Sequence, residues 1–250
     1  MRPRLTLYIT EMFGSSYEAA LAPACAVEMI HTYSMIHDDL PCMDDDDMRR
    51  GTPTLHKVYN DGHAVLTGDF LLTRAFQAIA EEPRLSFQQR CEMTHVLSQA
   101  AGGHGLIGGQ VVDILENPKE LEDLRKLYAN KTGALFVAAV ELGAIAAEAS
   151  DDERKLMRKF GEKLGLAYQI LNDILDVSSS MELRGTEISS DLKNGKTTYV
   201  SLLGLEGATA EFKTLKKECH EILKKLKRPT DKLEAYLECD GLTSLFEEPA

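Results

Sequence analysis

Six aspartates fall within ten positions: Asp38, Asp39, Asp44, Asp45, Asp46 and Asp47. At separations of a few ångströms each pair costs on the order of 1–4 kcal/mol. The chain must therefore fold so that these acids meet water or cations. Acid runs are usually solvated loops, but this one follows directly on the apolar Met35 and Ile36 and has Met43 and Met48 interleaved. Arg49 and Arg50 come immediately after it. Mg2+ takes carboxylate, phosphate and water oxygens, and arginine offers forked donors to phosphate. Acids beside guanidinium groups thus suit a Mg2+-bound diphosphate.

A second acidic cluster lies at Gln169, Asn172, Asp173 and Asp176. These offsets place the four on one stripe of a helix, with Leu171 and Ile174 pointing away. An exposed polar face would read the same way. Alternatively, two acid clusters at the ends of apolar helices face each other across a cavity.

The 3.6-residue period dominates the chain. Ala22, Cys25, Ala26, Met29, Ile30 and Tyr33 form one apolar face, and Phe160, Leu164, Ala167, Leu171 and Ile174 form another. Leu121, Leu124 and Tyr128 start a third segment, which runs on into the Ala-rich stretch. Long β-branched alternation is absent, so the pattern predicts an all-α chain, a single bundle of long helices over 1–250. The stretch Lys213–Arg228 reads as a solvated amphipathic helix, and 241–250 as a short tail. Gly103, Gly105 and Gly108 fit a dinucleotide fingerprint, but helix formers from Met93 to Ala101 stand where a strand is needed. They read instead as glycines for close helix packing or close approach to a ligand.

A net charge of −12 argues against a nucleic-acid partner, which needs basic stripes. Cys25, Cys42, Cys91, Cys219 and Cys239 form no C-x-x-C pair, which suggests free thiols in a reducing compartment. The longest apolar stretch, Ala134–Ala147, is interrupted by Glu141 and reads as too short for a membrane span. No signal peptide is expected, since Met1 leads into Arg2, Pro3 and Arg4. The expected location is the cytoplasm.

A series of motifs in order carries a resemblance. They are Asp38-Asp39-Leu40-Pro41-Cys42-Met43-Asp44, Arg49-Arg50-Gly51, Gly68-Asp69, Gly109-Gln110-Val111-Val112-Asp113, Lys131-Thr132-Gly133, Gln169 to Asp176, and Gly195-Lys196-Thr197-Thr198-Tyr199. From Arg2 to about Leu205 the chain resembles the trans-isoprenyl diphosphate synthase (polyprenyl synthetase) family, above all its bacterial-type farnesyl and geranylgeranyl diphosphate synthases. The resemblance implies the isoprenoid synthase fold, long antiparallel helices around a central cavity. It implies Mg2+-dependent condensation of isopentenyl diphosphate with dimethylallyl or geranyl diphosphate to farnesyl diphosphate, by ionisation and then alkylation in a pocket that excludes water. It assigns Mg2+ to Asp38 and Asp44, supported by Asp39, and to Asp173. The allylic diphosphate falls to Arg49, Lys131, Thr132, Gln169 and Lys196, and isopentenyl diphosphate to Arg50 and His31. The catalytic set is Asp38, Asp44, Arg49, Lys131 and Lys196. Tyr33 and Ser34, upstream of Asp38, would set product length, and the protein would be a homodimer. From the residues alone, His31 could equally be a structural core histidine and Lys131 a surface lysine.

Three departures from the resemblance matter. The Gly-Gly-Lys-Arg that usually precedes Arg2-Pro3 is not in the sequence, which suggests that the family's N-terminal helix is lacking. Asn172 stands where an aspartate is usual, keeping an oxygen ligand but losing a charge. Thr186 stands where a lysine is usual. These leave open a weakly active or non-catalytic regulatory or binding homologue, a geranylgeranyl diphosphate synthase, or a terpene cyclase of the same fold.

Overall fold

The computed structural model describes residues 1–116, 118–178 and 196–238. Asn117, Gly185, Thr186, Asn194, Gly195, Cys239 and the tail 241–250 lie outside the described residues. Helices α1 (Arg2–Met12), α2 (Leu21–Asp38), α3 (Leu55–Val58), α4 (Asp61–Glu81), α5 (Phe87–Ala101), α6 (Leu106–Leu115) and α7 (Leu121–Tyr128) make the first half. A π-turn, Ala129–Gly133, leads into α8 (Ala134–Ala146). Then follow α9 (Asp151–Ser178), α10 (Tyr199–Leu226) and α11 (Asp231–Glu238).

The apolar run that begins at Ala134 forms the middle of the bundle. From Leu135 to Ala146 every α8 residue except Val137 is buried, with α1, α5 and α9 packed around it. Small residues let the helices come close. Thr6 and Thr10 on α1 donate to the Ala139 and Gly143 carbonyls at 2.9 and 3.1 Å. A methyl on Gly143 would lie 2.5 Å from the Thr6 carbonyl. The face Phe160, Leu164, Ala167, Leu171 and Ile174 is at most 2% exposed, as the helical period requires. Leu215, Ile222, Leu223 and Leu226 are likewise buried on α10.

The sequence expectation about segment length needs correction. Leu121–Ala146 is one helical run of 26 residues, long and apolar enough to cross a membrane, and 67% of its most apolar window is buried inside the bundle. The segment read as starting at Leu121 does run on into the Ala-rich stretch, and only the apolar count, begun at Ala134, falls short of its length. The burial is that of a core helix. Gly103, Gly105 and Gly108 lie at the α5–α6 junction. Methyls on Gly105 and Gly108 would strike the Ala100 and Gly103 carbonyls, so these glycines serve the sharp turn.

Between α2 and α3 the chain forms a two-stranded hairpin, β1 (Met48–Arg49) and β2 (Thr52–Pro53), with Arg49 paired to Thr52. Its two-residue loop is Arg50-Gly51, with φ of 51° and 78°. Two successive positive φ values are what a tight hairpin turn demands. Glycine meets that demand at no cost at the second position, and Arg50 adopts it as a non-glycine residue. The turn fixes both arginines beside the end of α2.

Candidate active site

The C-terminal end of α2 delivers Asp38 and Asp39, and the turn after it delivers Asp44, whose N–H bonds to the Asp38 carbonyl at 2.9 Å. Gln110 on α6 donates to Asp38 Oδ1 at 2.5 Å. Asp39 is 4% exposed, and Arg49 Nε and Nη2 both lie 2.6 Å from its Oδ1. Arg49 also reaches Asp46 at 3.4 Å.

Opposite stands Asp113, the only charged residue of α6. Its Oδ2 accepts from Lys131 at 2.7 Å and from Lys196 at 2.8 Å. Lys196 also contacts Asp44 Oδ1 at 3.3 Å. The π-turn brings Lys131 into this position. Such insertions are frequent at functional sites, and here Gly109 allows α6 to lie against the Lys131 backbone. Thr132, next in the turn, donates to Gln169 on α9 at 2.9 Å. A cleft of about 470 Å³ lies over Asp44, Asp113 and Lys196, continuous in lining with a smaller recess over Lys131, Thr132 and Gln169.

The second acidic cluster joins the first through the segment Lys196–Tyr199. While Lys196 contacts Asp44, the Tyr199 N–H donates to Asp173 Oδ2 at 2.8 Å. Tyr128 OH donates to the same oxygen at 2.8 Å. Asp173 is 3% exposed, so it meets the start of α10 from within the bundle. Arg125 then holds the Tyr199 hydroxyl at 3.0 Å and Glu211 at 2.6 Å.

His31 lies further up α2. Burial, reinforced by the charges of Arg2, Arg50 and Arg49, pushes it down to about 3. A neutral imidazole surrounded by guanidinium groups is a ready anion site. Arg2 itself is buried, with its guanidinium 4.5 Å above the Phe136 ring. Tyr33 belongs to the core, edge-on to His37 with ring centres 5.7 Å apart. The Ser34 hydroxyl donates to the His31 carbonyl on its own helix at 2.9 Å.

The structure thus brings together Asp38, Asp39, Asp44, Arg49, Lys131, Thr132, Gln169 and Lys196, with His31 and Arg50 beside them. It sets Asp173 behind Tyr128 and Tyr199, and Tyr33 and Ser34 on the α2 side. Sequence reasoning assigns no role to Arg2, Gln110, Asp113 or Tyr128. The lone charge of Asp113 on an otherwise apolar helix was the available signal.

Burial, opposed by Lys131 but reinforced by Asp44 and Asp113, pushes the Asp38 carboxyl up to about 6. Burial would also raise Asp113, but Lys131 and Lys196 more than offset it and hold it below the usual carboxylate range. Asp38 is therefore a buried acid short of counter-charge. With Asp44 it offers oxygen donors only, the set that fits a hard divalent cation.

A helical bundle with acids and cations converging on one cleft defines an enzyme that handles phosphorylated substrates. Residues 1–239 match the family model described as Polyprenyl synthetase. The chain is 42% identical over 244 residues to the farnesyl diphosphate synthase of Bacillus subtilis, covering 96% of this chain and 82% of that protein. It is 43% identical over 228 residues to geranylgeranyl pyrophosphate synthase 7 of Arabidopsis thaliana, covering 89% and 66%. The geranyltransferase of Helicobacter pylori, solved with magnesium and isoprenyl diphosphate, superimposes with a TM-score of 0.83 at 36% identity, covering 99% and 83%. The chain belongs to the polyprenyl synthetase family, as a short-chain prenyltransferase.

Proposed function

We propose that the protein condenses isopentenyl diphosphate with dimethylallyl or geranyl diphosphate to give farnesyl diphosphate, with Mg2+ held by Asp38 and Asp44. The observation that carries this reading is the convergence of Lys131 and Lys196 on Asp113 beside Asp44. Asp39 supports the ion site through its hold on Arg49, and Asp173 supports it from the α10 side. When bound, Mg2+ neutralises charge on the leaving diphosphate.

The chain's own groups do the rest. Arg49, Lys131 and Lys196 bind the allylic diphosphate oxygens, and their charges favour the state in which the carbon–oxygen bond has lengthened. Thr132 and Gln169 border the same recess. His31, Arg50 and Arg2 form a neighbouring cationic site for isopentenyl diphosphate. His31, neutral before substrate binds, can donate one N–H there. No protein nucleophile is required. Keeping the two diphosphates in adjacent sites orients the double bond against the allylic carbon.

Tyr33 supports a farnesyl product. It is a bulky, buried side chain five residues before Asp38 on α2, and the reading assigns it the role of stopping chain growth. The similarity to geranylgeranyl synthases makes the C20 product the rival reading. Sizing the products formed from labelled isopentenyl diphosphate and geranyl diphosphate decides between them. C15 supports the proposal, and C20 or longer rejects it.

The apolar stripes Leu66 and Phe70 on α4, and Ile107, Val111 and Ile114 on α6, are exposed. Exposed apolar patches can mark association surfaces, and those on α4 support the expected homodimer. Light scattering on Phe70→Glu would show monomer if that face is used.

A further inference from the structure

The loop that lines the cleft carries two more acids, Asp45 and Asp47, and these group with His56 on α3. One donor atom from each lies within 4.8 Å of the other two, and Asp45 also borders the cleft beside Asp44. Exposed acids alone would mean little. His56 is different, because it is 6% exposed and its Nε2 is buried with no hydrogen-bond partner.

The neighbouring bonds fix how this ring is protonated. Thr54 Oγ1 lies 2.8 Å from the Asp46 carbonyl and 3.2 Å from His56 Nδ1. A carbonyl can only accept, so the single hydroxyl proton goes to Asp46. Oγ1 must then accept from His56 Nδ1–H. A neutral imidazole carries one N–H, which leaves an unshared pair on Nε2. A histidine fixed through one nitrogen, with a lone pair waiting on the other, is how metal-binding histidines are held.

We propose that Asp45, Asp47 and His56 form a binding site for a borderline transition cation of the Zn2+ or Mn2+ type at the rim of the Mg2+–diphosphate cleft, using none of the Mg2+ ligands assigned there. One imidazole and two carboxylates favour such ions, whereas Mg2+ prefers oxygen and keeps its waters. Bonds of 2.0–2.1 Å place tetrahedral ligands about 3.3 Å apart. The two exposed aspartates must close by at most about 1.5 Å, within the reach of side-chain rotation. Two carboxylates match the charge of the ion. The ion pair between Asp47 and Lys57, 2.7 Å long, lies at the surface and yields to a stronger ligand. Asp45 sits at φ 52°, a conformation uncommon outside glycine that a bound ion would help to hold. The site closes around the Arg50-Gly51 hairpin, so an ion here would act as a clip on the arginine turn.

Equilibrium dialysis with Zn2+ in excess Mg2+ tests the site on the full chain. Wild type and Asp38→Asn should each retain one tightly bound Zn2+ per chain. Asp45→Asn combined with Asp47→Asn should bind at least about tenfold more weakly, and His56→Gln should lose the ion. Circular dichroism reports whether His56→Gln folds, and if it does not, the exposed aspartate pair decides. Failure of wild type to retain Zn2+ overturns the proposal. So does unchanged affinity in the aspartate pair, or loss in Asp38→Asn, which would place the ion in the cleft. Of these results only loss in Asp38→Asn bears on the proposed condensation, since it would put a divalent ion on the cleft acids.

Discussion

Lys196 Nζ lies 2.8 Å from Asp113 Oδ2 and ties the segment leading into α10 to the last turn of α6. Because Lys131 shares that oxygen, one carboxylate aims two ammonium groups at the cleft. Asp113→Asn should leave the fold in place while releasing both lysines. The pairs are partly exposed, so the stability loss should be about 1–2 kcal/mol, below the cost of breaking a fully buried pair. Turnover should fall at least about tenfold, the loss of one aimed charge. Steady-state kinetics beside thermal unfolding would show both, and unchanged turnover would deny Asp113 a positioning role.

Gly109 allows the approach that places Lys131. A methyl there would lie 2.3 Å from the Lys131 nitrogen and 2.6 Å from its Cα. These are backbone atoms and cannot rotate away. Gly109→Ala should destabilise by about 1–3 kcal/mol and reduce activity even at temperatures where it is folded. A variant with wild-type Tm and activity would show that the α6 contact is looser than described.

His31 gives a pH dependence with a definite sign. Its ordinary value is 6.5, and burial with the nearby arginines brings it to about 3 in the folded chain. On lowering pH, the unfolded chain takes up the proton first. The folded state keeps its full advantage above 6.5 and loses it as pH falls from there toward 3. His31→Gln should flatten this part of the stability profile. Urea unfolding at about pH 7 and about pH 4.5 would show a smaller difference in the variant, and an equal difference would contradict the assignment.

Tyr33 separates its volume from its hydroxyl. The hydroxyl is buried without a hydrogen-bond partner, so Tyr33→Phe should be neutral or stabilising by up to about 1 kcal/mol with unchanged products. Tyr33→Ala should cost about 3–5 kcal/mol and lengthen the products. Chromatography of the prenyl chains checks both. An unchanged product spectrum in Tyr33→Ala would remove Tyr33 from length control.

Much of this was visible in the sequence because helices repeat every 3.6 residues. The buried faces of α2 and α9 could be read from residues such as Ile30, Phe160 and Ile174. The π-turn could not, since Ala129-Asn130-Lys131-Thr132-Gly133 contains no helix breaker except its final glycine, and only tertiary contact reveals the extra residue. Asp173 shows a second limit. Its stripe with Gln169, Asn172 and Asp176 reads as a polar face, whereas the fold buries it against Tyr128 and Tyr199. Periodicity reports which residues share a face but not what that face meets. Arg2 was silent for a similar reason, because a charged residue beside Pro3 at the start of a helix ordinarily faces water.

The account depends on Asp38 and its neighbours binding a divalent cation with a diphosphate. The most direct test is Mg2+-dependent condensation of labelled isopentenyl diphosphate with geranyl diphosphate by wild type and by Asp38→Ala. The account predicts product from wild type only when Mg2+ is present, and none above background from Asp38→Ala. Wild-type turnover in the variant, or condensation independent of Mg2+, would contradict it.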